Sequence, residues 1–215
     1  MEEKEIKTLK RLKILRKLDT PAKIQNFINK IPVNFEEDGG ETCMSPLYVL
    51  KTRKCHCIEG ALLAAAAIWM NKIGTGKPLV VDLRGSEDDW DHVIAVFQDK
   101  KTKKWGAISK TNHAVLRYRE PIYRDIRELV MSYFHEYTDD KSEGKKKLRA
   151  FSGAIDLSIF GKDWITSRDN LWHIHDHLDR ARHFDILNKK QLKNLRKADD
   201  IEIKAGELVE YKRPF

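Results

Sequence analysis

Two residues of this 215-residue chain stand in settings that favour chemistry: a cysteine that opens a helix and a histidine that opens a strand. Cys57 begins the run Cys57-Ile58-Glu59-Gly60-Ala61-Leu62-Leu63, which continues through four consecutive alanines toward Gly74. At a helix start, unpaired N–H groups and the helix dipole favour thiolate over thiol. The same N–H groups can donate to an oxyanion forming on an attacked carbonyl. A thiolate nucleophile needs a partner base, and His92 opens the alternating stretch His92–Gln98 just after the acidic loop Asp88-Asp89-Trp90-Asp91. Together they suit attack at an acyl or amide carbon. The plainer alternative is a buried thiol and an unrelated surface imidazole.

The surrounding elements have to bring the two together. Alanine favours helix, and a run this small and apolar predicts a buried central helix from Cys57 to Gly74, into which neighbours can pack closely. Strands are predicted at Pro78–Arg84, His92–Gln98 and Lys104–Lys110, the last two forming a hairpin about the polar turn Asp99–Lys103. Upstream, residues 4–18 predict an amphipathic helix, and Thr20-Pro21 supplies an N-cap and first position for a second helix over 21–30. Residues 32–46, with Gly39-Gly40, read as a loop. Downstream, helix is predicted over 121–137, an exposed loop over 139–147, a His-rich helix near 169–187 and a charged helix near 189–212. This order is α+β: a central buried helix against an antiparallel sheet, with helical N- and C-terminal extensions. The division expected is an N-terminal helix at 1–19, a core at 20–137 and a helical extension at 138–215 packed on that core.

The order of motifs resembles the transglutaminase-like superfamily of papain-fold proteins, and within it a bacterial branch of uncharacterised members. The segments that carry the resemblance are Cys57-Ile58-Glu59-Gly60-Ala61, Asp91-His92-Val93-Ile94-Ala95-Val96-Phe97, Trp105-Gly106-Ala107-Ile108-Ser109, and Arg117-Tyr118-Arg119-Glu120-Pro121-Ile122-Tyr123. The resemblance implies a papain-like core and a Cys57–His92 hydrolase or acyltransferase acting on a peptide or a small amide or acyl substrate, with no cofactor. The superfamily usually places an Asp on the strand after the His strand to orient the imidazole. Here Ser109 stands near that place, so the resemblance implies Ser109 or Asn112 as orienter. An uncharged orienter stabilises an imidazolium less than a carboxylate does. A side-chain amide often completes the oxyanion hole in such enzymes, and Gln25 is the candidate.

Other readings compete. A site without an acidic orienter is also compatible with a non-catalytic binding module on the same fold. The run Trp172-His173-Ile174-His175-Asp176-His177 places His173 and His177 four apart on a predicted helix, zinc-like spacing to which Asp176 or His183 could add a ligand, as in a metal-dependent hydrolase. A helix whose His and Asp residues bond one another is the simpler account, so no metal is assigned. Cys55-His56-Cys57 lacks the second ligand pair of a structural zinc site. Arg117, Arg119, Arg124 and Arg127 could meet an acidic group, though pairing with Glu120, Asp125 and Glu128 is plainer. The net charge of +8 permits nucleic acid as a partner, but the lysines are scattered along the chain rather than gathered in one stripe, which argues against it. Three cysteines make no disulfide framework, the charged N-terminus lacks an apolar signal core, and no apolar run is long enough to span a membrane. A cytoplasmic location is the expectation.

Overall fold

A computed structural model of the chain describes residues 11–36, 40–86, 91–138 and 144–213. The helix expected over 4–18 lies partly outside these residues, and residues 11–16 are helical. Most of the acidic loop before His92, Gly39, and much of the 139–147 loop also fall outside them. Thr20 caps the first complete helix, α1 (Pro21–Asn29), by accepting from the Lys23 N–H at 3.2 Å, with Pro21 in the first turn. The loop from Pro32 ends in a short helix, α2 (Pro46–Thr52), capped by Ser45. The central helix, α3 (Cys57–Asn71), is buried without interruption from Ile58 to Ile68. It stops at Lys72 in a left-handed cap, two residues before Gly74. Gly74 serves the next bend, where a side chain would meet the Gln98 carbonyl oxygen at 2.3 Å.

Burial on every side of α3 is explained by what packs on it: α1 and α2 on one flank, and the sheet on the other. That sheet holds β1 (Leu79–Arg84), β2 (His92–Gln98), β3 (Trp105–Ser109), β4 (Arg119–Tyr123), β5 (Ala150–Ser152), β6 (Ile155–Asp156) and β7 (His183–Asp185). Their order is β4-β3-β2-β1-β5-β7, with β6 also pairing β1, and every described pairing is antiparallel. Alternation along β2 divides the core. Val93, Ala95 and Phe97 join the α3 side, while Ile94 and Val96 join the opposite layer with Leu129, Val130, Tyr133 and Phe134. Burying each large aliphatic side chain contributes about 1.5–3 kcal/mol, so both layers help fix the register. The fold is mixed α+β with an antiparallel sheet and several helices.

Two expectations are corrected. Residues 121–137 do not form one helix: β4 runs to Tyr123, and helix α4 (Ile126–Met131) follows under an Asp125 cap. Pro121 cannot donate to a ladder, and the structure places it on the sheet's edge strand, where the register with β3 shifts between the Arg119 and Tyr123 pairings. The C-terminal portion is not a helical extension alone, because it adds β5, β6 and β7 to the sheet. Its helices are short: α5 (Trp172–Arg180), α6 (Lys189–Lys193) and α7 (Asp200–Glu207).

Candidate active site

Cys57 is the first residue of α3 and sits level with the start of β2, its Sγ 3.9 Å from the Asp91 carbonyl oxygen. Its helix start is clamped by Glu59, a carboxylate with no exposed surface. One Glu59 oxygen accepts from Thr42 Oγ1 at 2.7 Å and the Met44 N–H at 2.9 Å. The other accepts from the His56 N–H at 3.0 Å and Asn34 Nδ2 at 3.4 Å. The loop that precedes α2 is thereby tied to the residue before the cysteine. Gly60 has a steric reason: a Cβ there would lie 2.4 Å from Cβ of Lys110.

His92 is nearly buried, and its Nε2 lies 2.8 Å from Ser109 Oγ. Ser109 Oγ in turn donates to the Leu116 carbonyl oxygen at 2.6 Å. A hydroxyl has one hydrogen, so with that hydrogen given to Leu116, Ser109 can only accept from His92. The proton therefore sits on Nε2, and Nδ1 is left for the Cys57 sulfur. Leu116 presents its carbonyl from a left-handed conformation (φ 59°), a cost held in place by Glu136, which accepts the Leu116 N–H at 2.9 Å and pairs with Arg119 at 2.6 Å.

The three cysteines are unlike one another. Burial pushes the thiols of Cys43 and Cys55 up to about 12. Burial would also raise Cys57, but hydrogen bonds from the His56 and His92 imidazoles, and the charge of both, outweigh it and hold that thiol well below its usual value.

Of the residues expected at the site, Cys57, His92 and Ser109 come together. Gln25 does not face the sulfur. Its amide oxygen accepts the Ser109 N–H at 2.9 Å, while its two amide hydrogens go to the Ser109 carbonyl at 2.8 Å and Asn29 Oδ1 at 2.7 Å. With both hydrogens spent, it has none for an oxyanion, and it acts instead as the clasp that fixes Ser109. Asn112 does not orient His92 either. Its side chain brackets Tyr211, donating to the Tyr211 carbonyl and accepting its N–H, each at 2.9 Å. It thereby pins the C-terminal segment 208–211 along the wall of the cleft.

Cys57 stands where two cavities meet. One, of about 480 Å³, is lined by His92, Lys110, Asn112, His113 and Val209 among others. The second, of about 740 Å³, is lined by Glu36, Thr42, Asp82, Arg84, Asp179 and Trp172 among others. His56, Cys57 and Asp91 line both.

The histidine run does not converge. His173 and His177 both meet the Phe160 ring edge-on, and His175 faces Asp176 and Asp179. His183 lies on β7, not on the helix, paired at 2.9 Å with buried Asp82. Burial, partly offset by His183, raises the Asp82 carboxyl to about 6. Among the described residues, the carboxylates that gather are Asp82, Asp91 and Asp179; Arg84 pairs with the Asp91 carboxylate at 3.7 Å and donates to the Asp179 backbone carbonyl at 2.9 Å. Sequence reasoning missed His56, whose place beside Cys57 was set aside with the zinc reading. Glu59, three residues on and accepting the His56 N–H, is the signal that could have drawn attention to it.

No protein-family model matches the chain, and no curated protein is detectably similar to it. No helix of the described residues is long and apolar enough to cross a membrane.

Proposed function

We propose that this chain is a cysteine-dependent hydrolase or acyltransferase on a transglutaminase-like, papain-type core, acting at an amide or acyl carbon. The observation that carries the reading is the hydrogen-bonded series Cys57–His92–Ser109–Leu116, in which each proton position is dictated by the next acceptor. Cys57 thiolate attacks the carbonyl carbon, forming a C–S bond and moving the π electrons onto oxygen. The first-turn N–H groups of α3 meet that oxyanion. On collapse the C–N or C–O bond breaks, and His92 gives its proton to the leaving atom. Neutral His92 then takes a proton from water as its oxygen attacks the thioester carbon, and collapse breaks the C–S bond, releasing the acid and restoring the Cys57 thiolate beside protonated His92. Hydrolysis is favoured over transfer, since water needs no acceptor site. The cavities on both sides of Cys57 suit a bond within a chain, with an acyl portion in one and a leaving portion in the other.

The test is intact-mass spectrometry of the protein incubated with a peptide library rich in glutamine and amidated termini. The reading predicts an acyl adduct on Cys57 and released product, both lost in Cys57→Ala, with product formation falling sharply in His92→Ala. If wild type and Cys57→Ala are indistinguishable across the library, catalysis is refuted and the fold serves as a binding scaffold.

A further inference from the structure

Cys57 is flanked by two imidazoles, and the mechanism above uses only one. His56 immediately precedes the nucleophile and its position is as closely specified as that of His92. Its Nε2 lies 2.9 Å from the Thr42 carbonyl oxygen. A carbonyl only accepts, so Nε2 carries a hydrogen, and Nδ1 is the nitrogen left for the Cys57 sulfur. Two carboxylates flank the same edge of the ring: Glu36 Oε1 at 3.4 Å and Glu59 Oε1 at 3.5 Å from Nε2. Glu59 is itself fixed by the four donors described above, and Glu36 accepts from the Thr42 N–H at 2.7 Å. His92 has no such surroundings, for its Nε2 meets an uncharged hydroxyl.

We propose that His56 is a second catalytic imidazole, a standing imidazolium pinned by Thr42 between Glu36 and Glu59, which keeps Cys57 a thiolate whether or not His92 carries a proton. The inference rests on the Cys57-centred reading and divides the labour within it. His92 gives and takes the proton that cycles. His56 keeps its own proton and supplies the constant positive charge. This accounts for an uncharged residue at position 109: with the thiolate's counter-charge supplied from the other side, the orienter of His92 need not be an anion.

The groups that face this pair come from several elements. Glu36 and Thr42 come from the loop before α2, Glu59 from α3, His92 from β2 and the Asp91 carbonyl from the residue just before it. Cys43, Cys55 and Lys110 stand close behind. Burial alone would lower His56, but the hydrogen bond and charge of Cys57, then Glu59 and the Thr42 carbonyl, raise it to about 9. Burial lowers the Lys110 ammonium from its ordinary value.

The experiment compares iodoacetamide alkylation of Cys57 between pH 5 and 9.5 in wild type, His56→Gln and His92→Ala. Glutamine keeps a donor within reach of the Thr42 carbonyl and removes the charge. The expected result is that His92→Ala alkylates at pH 6 within about threefold of wild type. His56→Gln should lose at least about tenfold at pH 6, its onset moving toward that of an ordinary thiol near 8.5. If instead His92→Ala suffers the loss and His56→Gln does not, the inference is overturned while the Cys57–His92 reading stands. If wild-type Cys57 is inert at pH 6, both fall. A second measurement keeps the test intact should His56→Gln misfold. The His56 ring resonance should titrate near 9 in wild type and at least one pH unit lower in Cys57→Ser. An unchanged midpoint refutes the pairing.

Discussion

Replacing Glu59 by glutamine removes one charge and almost no volume, and the structure sets its cost. Four donors hydrogen-bond the carboxylate, two to each oxygen: Thr42 Oγ1 and the Met44 N–H on one, the His56 N–H and Asn34 Nδ2 on the other. A glutamine amide must turn its NH2 toward one of these pairs. Turned one way it confronts the Met44 N–H, and turned the other way it confronts the His56 N–H, so a backbone donor is orphaned in either orientation. A buried donor left without a partner costs about 1–3 kcal/mol, and hydrogen bonds to a charged acceptor contribute about 1.5–3 kcal/mol each. The loss expected for Glu59→Gln is therefore roughly 3–5 kcal/mol, a large share of the 5–15 kcal/mol that holds an ordinary domain folded. Urea denaturation of the two proteins at pH 7 measures it directly, and for a chain of this size the melting temperature should fall by about 10 °C. Because the same carboxylate fixes the backbone before Cys57 and faces the His56 ring, alkylation of Cys57 at pH 6 should slow as well. A stability loss below about 1 kcal/mol would mean that the donors have other acceptors, and that Glu59 is not the clamp of the helix start.

Three further outcomes follow from the same geometry. Gly60→Ala drives a methyl against Cβ of Lys110 at 2.4 Å and should destabilise by about 1–3 kcal/mol in thermal denaturation, an unusual penalty for alanine in a helix. Ser109→Ala leaves the His92 Nε2–H and the Leu116 carbonyl without their partner; a loss of about 2–4 kcal/mol is expected, and nitrogen NMR should show neutral His92 no longer confined to the Nε2–H form. The pH dependence of stability should carry the sign of His56. Its folded value, about 9, lies above that of a free imidazole, so its contribution is complete below about 6.5 and is lost as pH rises through 9. The stability gap between wild type and His56→Gln, from urea titrations at a series of pH values, should therefore narrow across that window.

The half of the fold that carries the candidate site was legible because its signals are local. The alanine run of α3, the alternation of His92–Gln98 and the Asp99–Lys103 turn each specify an element with little help from elsewhere, and the β2 range matches residue for residue. The short motif Cys57-Ile58-Glu59-Gly60 turns out to be dense with constraint: a helix-start thiol, a core side chain, a buried carboxylate and a position with no room for Cβ. Ser109 could be placed near His92 by strand order. Its proton direction could not, because that depends on Leu116 in a left-handed loop conformation. The roles of Gln25 and Asn112 were out of reach for a similar reason. Both are polar residues whose partners, Ser109 and Tyr211, lie 84 and 99 positions away.

The C-terminal portion misled for physical reasons. Ile122, Ile126, Leu129, Val130 and Phe134 have helical spacing, yet Ile122 is 65% exposed on an edge strand. Strands β5, β6 and β7 are two or three residues long, too short to show alternation, and His183 is drawn into the sheet by Asp82, 101 positions away. The charged stretch after Asn188 does hold its own punctuation. Asn188 with Gln191, and Asp199 with Glu202, are capping boxes that restart the chain and divide one expected helix into two short ones.

The central claim is that Cys57 alone among the three cysteines is a thiolate at neutral pH. Alkylation of wild-type protein by iodoacetamide at pH 6, read by peptide mass spectrometry at each cysteine, tests it most directly. The account predicts rapid modification of Cys57 while Cys43 and Cys55, buried and held near 12, stay unmodified. A Cys57 that reacts only as pH approaches the range of an ordinary thiol, at a rate no greater than that of a free cysteine, would contradict it.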